Sequence, residues 1–229
     1  MKRLVVLTGA GISAESGFKT FRDSGGLWES YSVEDVASIQ GWYRNPQLMT
    51  DFYNDMRAQL EKAQPNAGHR ILAELEEHFD VQIITQNIDN LHEKAGSHHV
   101  LHLHGELTKA RPVNNDSKII DIGYRAMKYG ERDEDGDLLR PHIVWFGEAV
   151  PEIMNAAKLV RSADIFAVVG SSLVVYPAAG LVNELRGGTK NYLIDPADVD
   201  VPEWLNFRVI KEVASKGVAV MRDELLKEV

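Results

Sequence analysis

Four short apolar runs, each ending in a glycine turn or a polar residue, constrain this 229-residue chain more than any other feature. Leu4–Leu7 leads into Thr8-Gly9-Ala10-Gly11, and comparable runs recur at Val81–Thr85, Ile165–Gly170 and Tyr192–Ile194. Their length and weak alternation predict strands buried on both faces, as in a parallel sheet. Helical patterns lie between them. Asn66 can cap a helix carrying Ile71, Leu72 and Leu75; Pro151 can open one carrying Ile153, Ala157 and Val160; Gly187-Gly188 can close one beginning near Pro177. This alternation predicts an α/β, doubly wound parallel sheet whose ligands sit at the carboxyl ends of its strands.

Two stretches break the rhythm. Residues 21–64 read as helical and aromatic, with Leu48, Met49, Phe52, Met56 and Leu60 at helical spacing. Residues 105–140 read as polar and irregular and carry the acidic run Glu131-Arg132-Asp133-Glu134-Asp135. Both read as insertions building a smaller module over the sheet edge, with a substrate cleft between. The expected division is 1–20, 72–104 and 141–229 for the sheet domain, and 21–71 and 105–140 for the module. A hydrophobic content of 44% suffices for a core of this size. The net charge of −9 argues against a nucleic-acid partner, because phosphates would be repelled. The absence of cysteine excludes disulfides and cysteine-held zinc. The apolar start stops at Thr8-Gly9 without a small-residue cleavage site, and no apolar run reaches about 18 residues, so a cytoplasmic chain with no membrane partner is expected.

The Gly9-Ala10-Gly11 turn can bring backbone N–H groups close to a phosphate at a helix N-terminus. As a dinucleotide fingerprint it is incomplete: Ala14 takes the third glycine position, and Asp23 and Glu29 fall in a loop rather than at a second strand end. A plain strand–helix turn stays open, and a hydride-transferring dehydrogenase fits poorly. Gln86-Asn87-Ile88-Asp89 follows directly on an apolar strand, where a ligand is expected, although Asp89 can equally cap the segment Asn90–Glu93. Gly170-Ser171-Ser172 also sits at a strand end, and Asp195 follows Tyr192–Ile194 where a ribose hydroxyl would lie. His102 and His104 alternate onto one side of an extended segment. Metal binding by His98, His99, His102 and His104 is a weak rival, because no flanking Cys or acidic ligand completes a site.

In this order, Gly9-Ala10-Gly11-Ile12-Ser13, Thr20-Phe21-Arg22-Asp23, Gln86-Asn87-Ile88-Asp89, Leu103-His104-Gly105 and Arg140 to Glu148 resemble one enzyme family, the sirtuins, from Leu4 to about Ala214. The resemblance implies a Rossmann-like NAD-binding domain and NAD-dependent removal of acyl groups from protein lysines, giving nicotinamide and O-acyl-ADP-ribose. It assigns His104 as general base, a role that suits a histidine titrating near neutrality. Asn87 would place ribose or water, while Asp89 and the Ile88 backbone hold the nicotinamide amide. Gly9, Ala10, Gly11, Ser13, Gln86, Gly170, Ser171, Ser172 and Ala214 complete the implied NAD site, and Asp195 joins it from its place after the strand, where the family usually has an asparagine. Phe21 would shield the reactive ribose carbon, and Arg22 would touch phosphate or ribose. Val144, Phe146, Gly147, Glu148 and Val174 fall in two segments that clamp an extended acyl-lysine peptide by main-chain pairing. An NAD-consuming ADP-ribosyltransferase or NAD hydrolase using the same pocket is the alternative, and a non-catalytic NAD-binding module a further one.

Two larger departures from the family pattern stand beside Asp195. Most sirtuins hold a structural zinc through two Cys pairs, and here Pro112 and Asn115 stand in the region of the first pair, so no zinc is expected. Ile119, Ile120, Ile122, Tyr124, Met127 and Tyr129 are candidates for ordering the module instead. Gly26-Leu27-Trp28-Glu29, Val33–Ala37 and Phe52-Tyr53 resemble the bacterial and class III branch, which removes acidic acyl groups such as succinyl. That branch places an arginine three residues after its tyrosine. After Tyr53 that position is Met56, and the arginine is Arg57, turned by about 100° around the helix. Tyr53, Met56 and Arg57 are the acyl-pocket candidates, and acetyl or apolar acyl groups are favoured over succinyl.

Overall fold

The structure is a computed structural model that describes residues 1–18 and 31–228. Its main sheet has six strands in the order β3 (Val100–His102), β2 (Asp80–Thr85), β1 (Arg3–Thr8), β7 (Ile165–Val169), β8 (Lys190–Ile194) and β9 (Arg208–Ile210). All neighbours pair in parallel. β1 sits centrally because Leu4–Leu7 are apolar on both faces. Leu4 and Val6 pack with α5 (Ala67–Glu74) and α8 (Ala214–Leu226); Val5 and Leu7 pack with α7 (Ile153–Arg161) and the 3₁₀ turn Ala178–Glu184. Each such side chain contributes about 1.5–3 kcal/mol by leaving water. The helix expected from Pro177 is therefore a short 3₁₀ segment, weakened by Gly180 inside it and ended by extended Leu185.

Chain order reverses between β1 and β7, and there the two strand ends meet backbone to backbone. Gly9 N–H donates to Val169 O over 3.0 Å, and Gly11 N–H to Gly170 O over 2.9 Å. A Cβ on Gly9 would lie 2.6 Å from Gly170 O, and one on Gly11 2.7 Å from Gly170 Cα. Gly170 itself adopts φ +61, a conformation that favours glycine. Two of the turn amides expected to meet phosphate are thus engaged within the protein.

The second layer of structure is helical: α2 (Val33–Val36), α3 (Ile39–Arg44) and α4 (Pro46–Lys62). Their starts are fixed by Ser32, Ser38 and Asn45, whose side chains accept from Asp35, Gly41 and Leu48 amides. α4 presents Met49, Phe52, Tyr53, Met56 and Leu60 to a core shared with Leu107, Ile143 and Trp145. The stretch read as irregular instead holds a three-stranded antiparallel sheet, β5 (Ile120–Asp121), β4 (Gly105–Pro112) and β6 (Leu139–Ile143) in that spatial order. Ala110, Ile122, Met127 and Leu139 form a small core beneath it, with Ile120 packed against them. Ile119 and Tyr129 are exposed, so they order the module less than expected. The acidic run gathers on Lys118, whose ammonium lies 2.7 Å from Asp133 and also pairs with Asp135.

Candidate active site

A cavity of about 620 Å³ lies between the carboxyl edge of the parallel sheet and the helical module. Its walls include Gly9, Ala10, Gly11, Gln86, Asn87, Ile88, Asp89, His104, Gly170, Ser171, Ser172 and Asp195 on the sheet side. Tyr53, Met56, Val144, Phe146, Gly147, Glu148 and Val174 close it from α4 and from the segments after β6 and β7. Phe18, Ala37, Ile143, Val150, Pro177 and Ala197 also line it. They had no polar signature in the sequence, and only apolar residues beside a motif could have suggested them. Phe21 and Arg22 lie outside the described residues.

The loop after β2 carries the polar groups. Gln86 N–H extends the ladder by donating to Thr8 O, and its side-chain amide donates to Ser171 Oγ over 2.8 Å. Asn87 is pinned three ways: its amide nitrogen donates to Gly9 O and Ser13 Oγ over 3.0 and 3.2 Å, and its backbone N–H donates to Thr85 Oγ1. Asp89 is buried. Its carboxylate accepts from Ser13 Oγ–H over 2.8 Å and from Leu91 N–H over 3.1 Å, so it holds the turn that leads into α6 (Leu91–Ala95), whose N-cap is Asn90, as well as facing the cavity. Burial raises its pKa above the ordinary carboxylate value, against these hydrogen bonds.

His104 Nδ1 lies 2.9 Å from Gln86 O. A carbonyl can only accept, so Nδ1 carries the hydrogen and Nε2 keeps its lone pair. Burial lowers the pKa of this ring and outweighs the bond to Gln86. A neutral imidazole with a free Nε2 at a cavity wall is the form a general base requires.

Three expectations change. Ser13 does not line the cavity; its hydroxyl bridges Asn87 and Asp89 from behind. Ala214 does not line the cavity: it opens α8 inside the core on one face of the sheet, where its backbone lies 3.3 Å from where a side chain on Gly68 would begin. Arg57 is fully buried and points away from the cavity. Its Nε donates to Leu107 O over 2.6 Å and its Nη1 to Asn54 Oδ1 over 2.7 Å, and burial with Arg125 nearby lowers its pKa to about 10. The one-residue shift on α4 sends Met56 to the cavity and Arg57 to β4. Glu148 lines the cavity, but its carboxylate is held by Arg140 over 2.7 and 2.9 Å and accepts Trp145 N–H. Arg140 also stacks 3.6 Å over Trp145, fixing the clamp loop.

The histidines separate by role. His98 is exposed and pairs with Glu76. His69 and His92 form a buried edge-on pair, with His92 Nε2 3.1 Å from Thr8 Oγ1. Contrary to the sequence reading, His102 does have acidic neighbours: Glu93 at 2.8 Å and Glu106 at 3.9 Å. Glu106 itself holds Lys109 over 2.5 Å.

The Sir2 family profile matches residues 9–177, three quarters of the chain. The chain belongs to the Sir2 family. It is 52% identical over 231 residues to an NAD-dependent protein deacylase of Bacteroides thetaiotaomicron, covering 99% of each chain. A solved complex of a Sir2 homologue with NAD superposes with a TM-score of 0.88 at 35% identity, covering 99% of this chain and 90% of that one. A Sir2 complex with a deacetylated p53 peptide and 3′-O-acetyl ADP-ribose superposes with a TM-score of 0.82 at 32% identity, covering 96% and 92%. The six-stranded parallel sheet of this sirtuin and the small antiparallel sheet beside it make up that fold.

Proposed function

We infer that this sirtuin removes acyl groups from protein lysine side chains with consumption of NAD. The observation that carries the reading is His104, a neutral ring whose Nε2 is left free by the bond from Nδ1–H to Gln86 O. The cavity fits a dinucleotide. Its size lies within the roughly 300–1,000 Å³ of small-molecule sites, and it sets hydroxyls of Ser171 and Ser172, the Asp195 carboxylate and two side-chain amides against apolar walls. When bound, NAD supplies an electrophilic ribose carbon and a hydroxyl that takes up the acyl group. The chain's part is to orient, exclude water and move one proton. Asn87, fixed by Gly9 O and Ser13 Oγ, orients the ribose or a water molecule. His104 Nε2 receives the hydroxyl proton, and Gln86 O steadies the resulting imidazolium through Nδ1–H. Val144–Glu148 and Val174 hold the peptide backbone across the cavity mouth.

Acetyl and apolar acyl groups are the preferred cargo. Among the described residues no Lys or Arg lines the cavity, so a distal carboxylate would be buried without a cation, at a cost that outweighs its added contacts. The test is kcat/KM on one peptide bearing acetyl-, butyryl- or succinyl-lysine, with the peptide weighed afterwards. Loss of acyl mass together with peptide-dependent nicotinamide release supports the reading. A gain of ADP-ribose mass, or equal nicotinamide release without peptide, supports a transferase or hydrolase instead.

A further inference from the structure

His102 sits two residues before His104, on the same loop-facing side, and the reading above leaves it without a role. Its Nδ1 lies 3.2 Å from Asn87 O, and its Nε2 lies 2.8 Å from Glu93 Oε1. Both partners are acceptors. A backbone carbonyl cannot donate, and an ionised carboxylate cannot either, so only a ring protonated at both nitrogens satisfies both contacts. His104 faces Gln86 O on one side alone. Two histidines on one short segment therefore hold the adjacent carbonyls of the catalytic loop, Gln86 O and Asn87 O, in different charge states.

We propose that Glu93 and His102 form a positioning pair that holds the Asn87 carbonyl, so that turnover requires His102 protonated while His104 is neutral. The proposal rests on the roles given above to Asn87 and His104. Loss of the His102 proton would leave one of its two contacts as lone pair against lone pair and release the loop from β3. The groups around His102 favour the charged ring. Glu93 approaches from α6 and Glu106 from β4; Lys109 neutralises Glu106 in part; Asp89 and neutral His92 complete the surroundings. Burial opposes the charge, but the Glu93 hydrogen bond and the two carboxylates outweigh it, and the pKa is raised. The pKa of His104 moves the other way. The two rings then bound an activity window, with His104 setting the acid limb and His102 the alkaline limb.

The test combines imidazole ¹⁵N NMR of the unliganded protein with pH profiles of kcat/KM. At the pH of the kcat/KM plateau His102 should show two protonated ring nitrogens, and His104 one, at Nδ1. Glu93→Gln should move the alkaline limb to lower pH by about one unit, without moving the acid limb. His102→Gln keeps a donor toward Asn87 O without titrating, and should abolish the alkaline limb while retaining much of the plateau rate. A neutral His102 ring at the plateau pH overturns the proposal even if no variant folds. So does an alkaline limb unmoved in both folded variants. His104→Ala serves as the separate control: if it keeps activity within about threefold, the assignment of the base fails, whatever the NMR of His102 shows.

Discussion

Trp145 donates its indole N–H to the Tyr53 hydroxyl over 2.9 Å, and the two rings lie 6.1 Å apart at an interplanar angle of 33°. This bond fastens α4 to the loop after β6, so two walls of the cavity are tied together. Tyr53→Phe would leave the buried indole N–H without an acceptor, and stability should fall by about 1–3 kcal/mol. Urea unfolding of the variant beside the parent measures it. An unchanged midpoint would mean that the bond contributes nothing to holding the loop.

His104→Ala should lower kcat by roughly 10²–10⁴-fold, the usual worth of a positioned base. The circular dichroism spectrum should stay as it was, since among the described residues the ring bonds to Gln86 O alone. Steady-state kinetics with a saturating acetyl-lysine peptide give the number.

Met56→Arg should raise kcat/KM for succinyl-lysine relative to acetyl-lysine by about tenfold or more, since a cation would enter the cavity wall and pair with the distal carboxylate. Arg57→Met should leave the succinyl-to-acetyl ratio alone. It should cost about 1–3 kcal/mol of stability by stranding Leu107 O and Asn54. If instead Arg57→Met abolishes a succinyl preference, Arg57 reaches the acyl group in solution.

Stability should fall in mild acid through the pair His69 and His92. Burial holds His69 down to a pKa of about 4, with Arg70 adding to the shift, and holds His92 well below the usual value. The unfolded chain, titrating near 6.5, binds more protons than the folded one below that point. Stability is therefore full above about pH 6.5 and declines toward pH 4. Among the described residues neither ring nitrogen of His69 has a hydrogen-bond partner, so His69→Phe should flatten the decline without a large loss at pH 7.5. Thermal melts from pH 4.5 to 7.5 on both proteins compare the slopes.

Strong chelation should leave activity intact, because the module is ordered by the small core around Ile122 and by Lys118 among its carboxylates. High salt should loosen the Lys118 cluster first, since its ammonium reaches solvent. Limited proteolysis between residues 113 and 138, with and without chelator and with and without 1 M salt, separates the two. Cleavage provoked by the chelator alone would point to a metal in the module.

Much of the sheet was legible because its strands are continuous apolar runs, a signal that survives without knowledge of partners. β4 and β6 were not, because Gly105–Pro112 is half polar and its partner Leu139–Ile143 comes only after a long, largely polar connection; their pairing is non-local. The cavity wall was legible where motifs stood at strand ends. The burial of Arg57 was only half legible: helical geometry predicted its rotation, but not the Leu107 carbonyl waiting at the other side. Ser13, the Glu93–His102 pair and the engaged carboxylate of Glu148 escaped for one reason. Each is defined by a partner on another element, and a hydrogen bond between distant residues leaves no periodicity behind.

Gly9, Gly11 and Gly170 are shaped by one another before any ligand arrives, since each lacks the room for a methyl group that another backbone already fills. A descendant of this chain that had lost all chemistry would face the same demand, and would keep the same three residues to close its sheet. Searching genomes for the glycine turn would thus recover inert copies as readily as enzymes. The residue that tells them apart is His104, whose contact with the main-chain carbonyl of Gln86 has no purpose in closing the sheet.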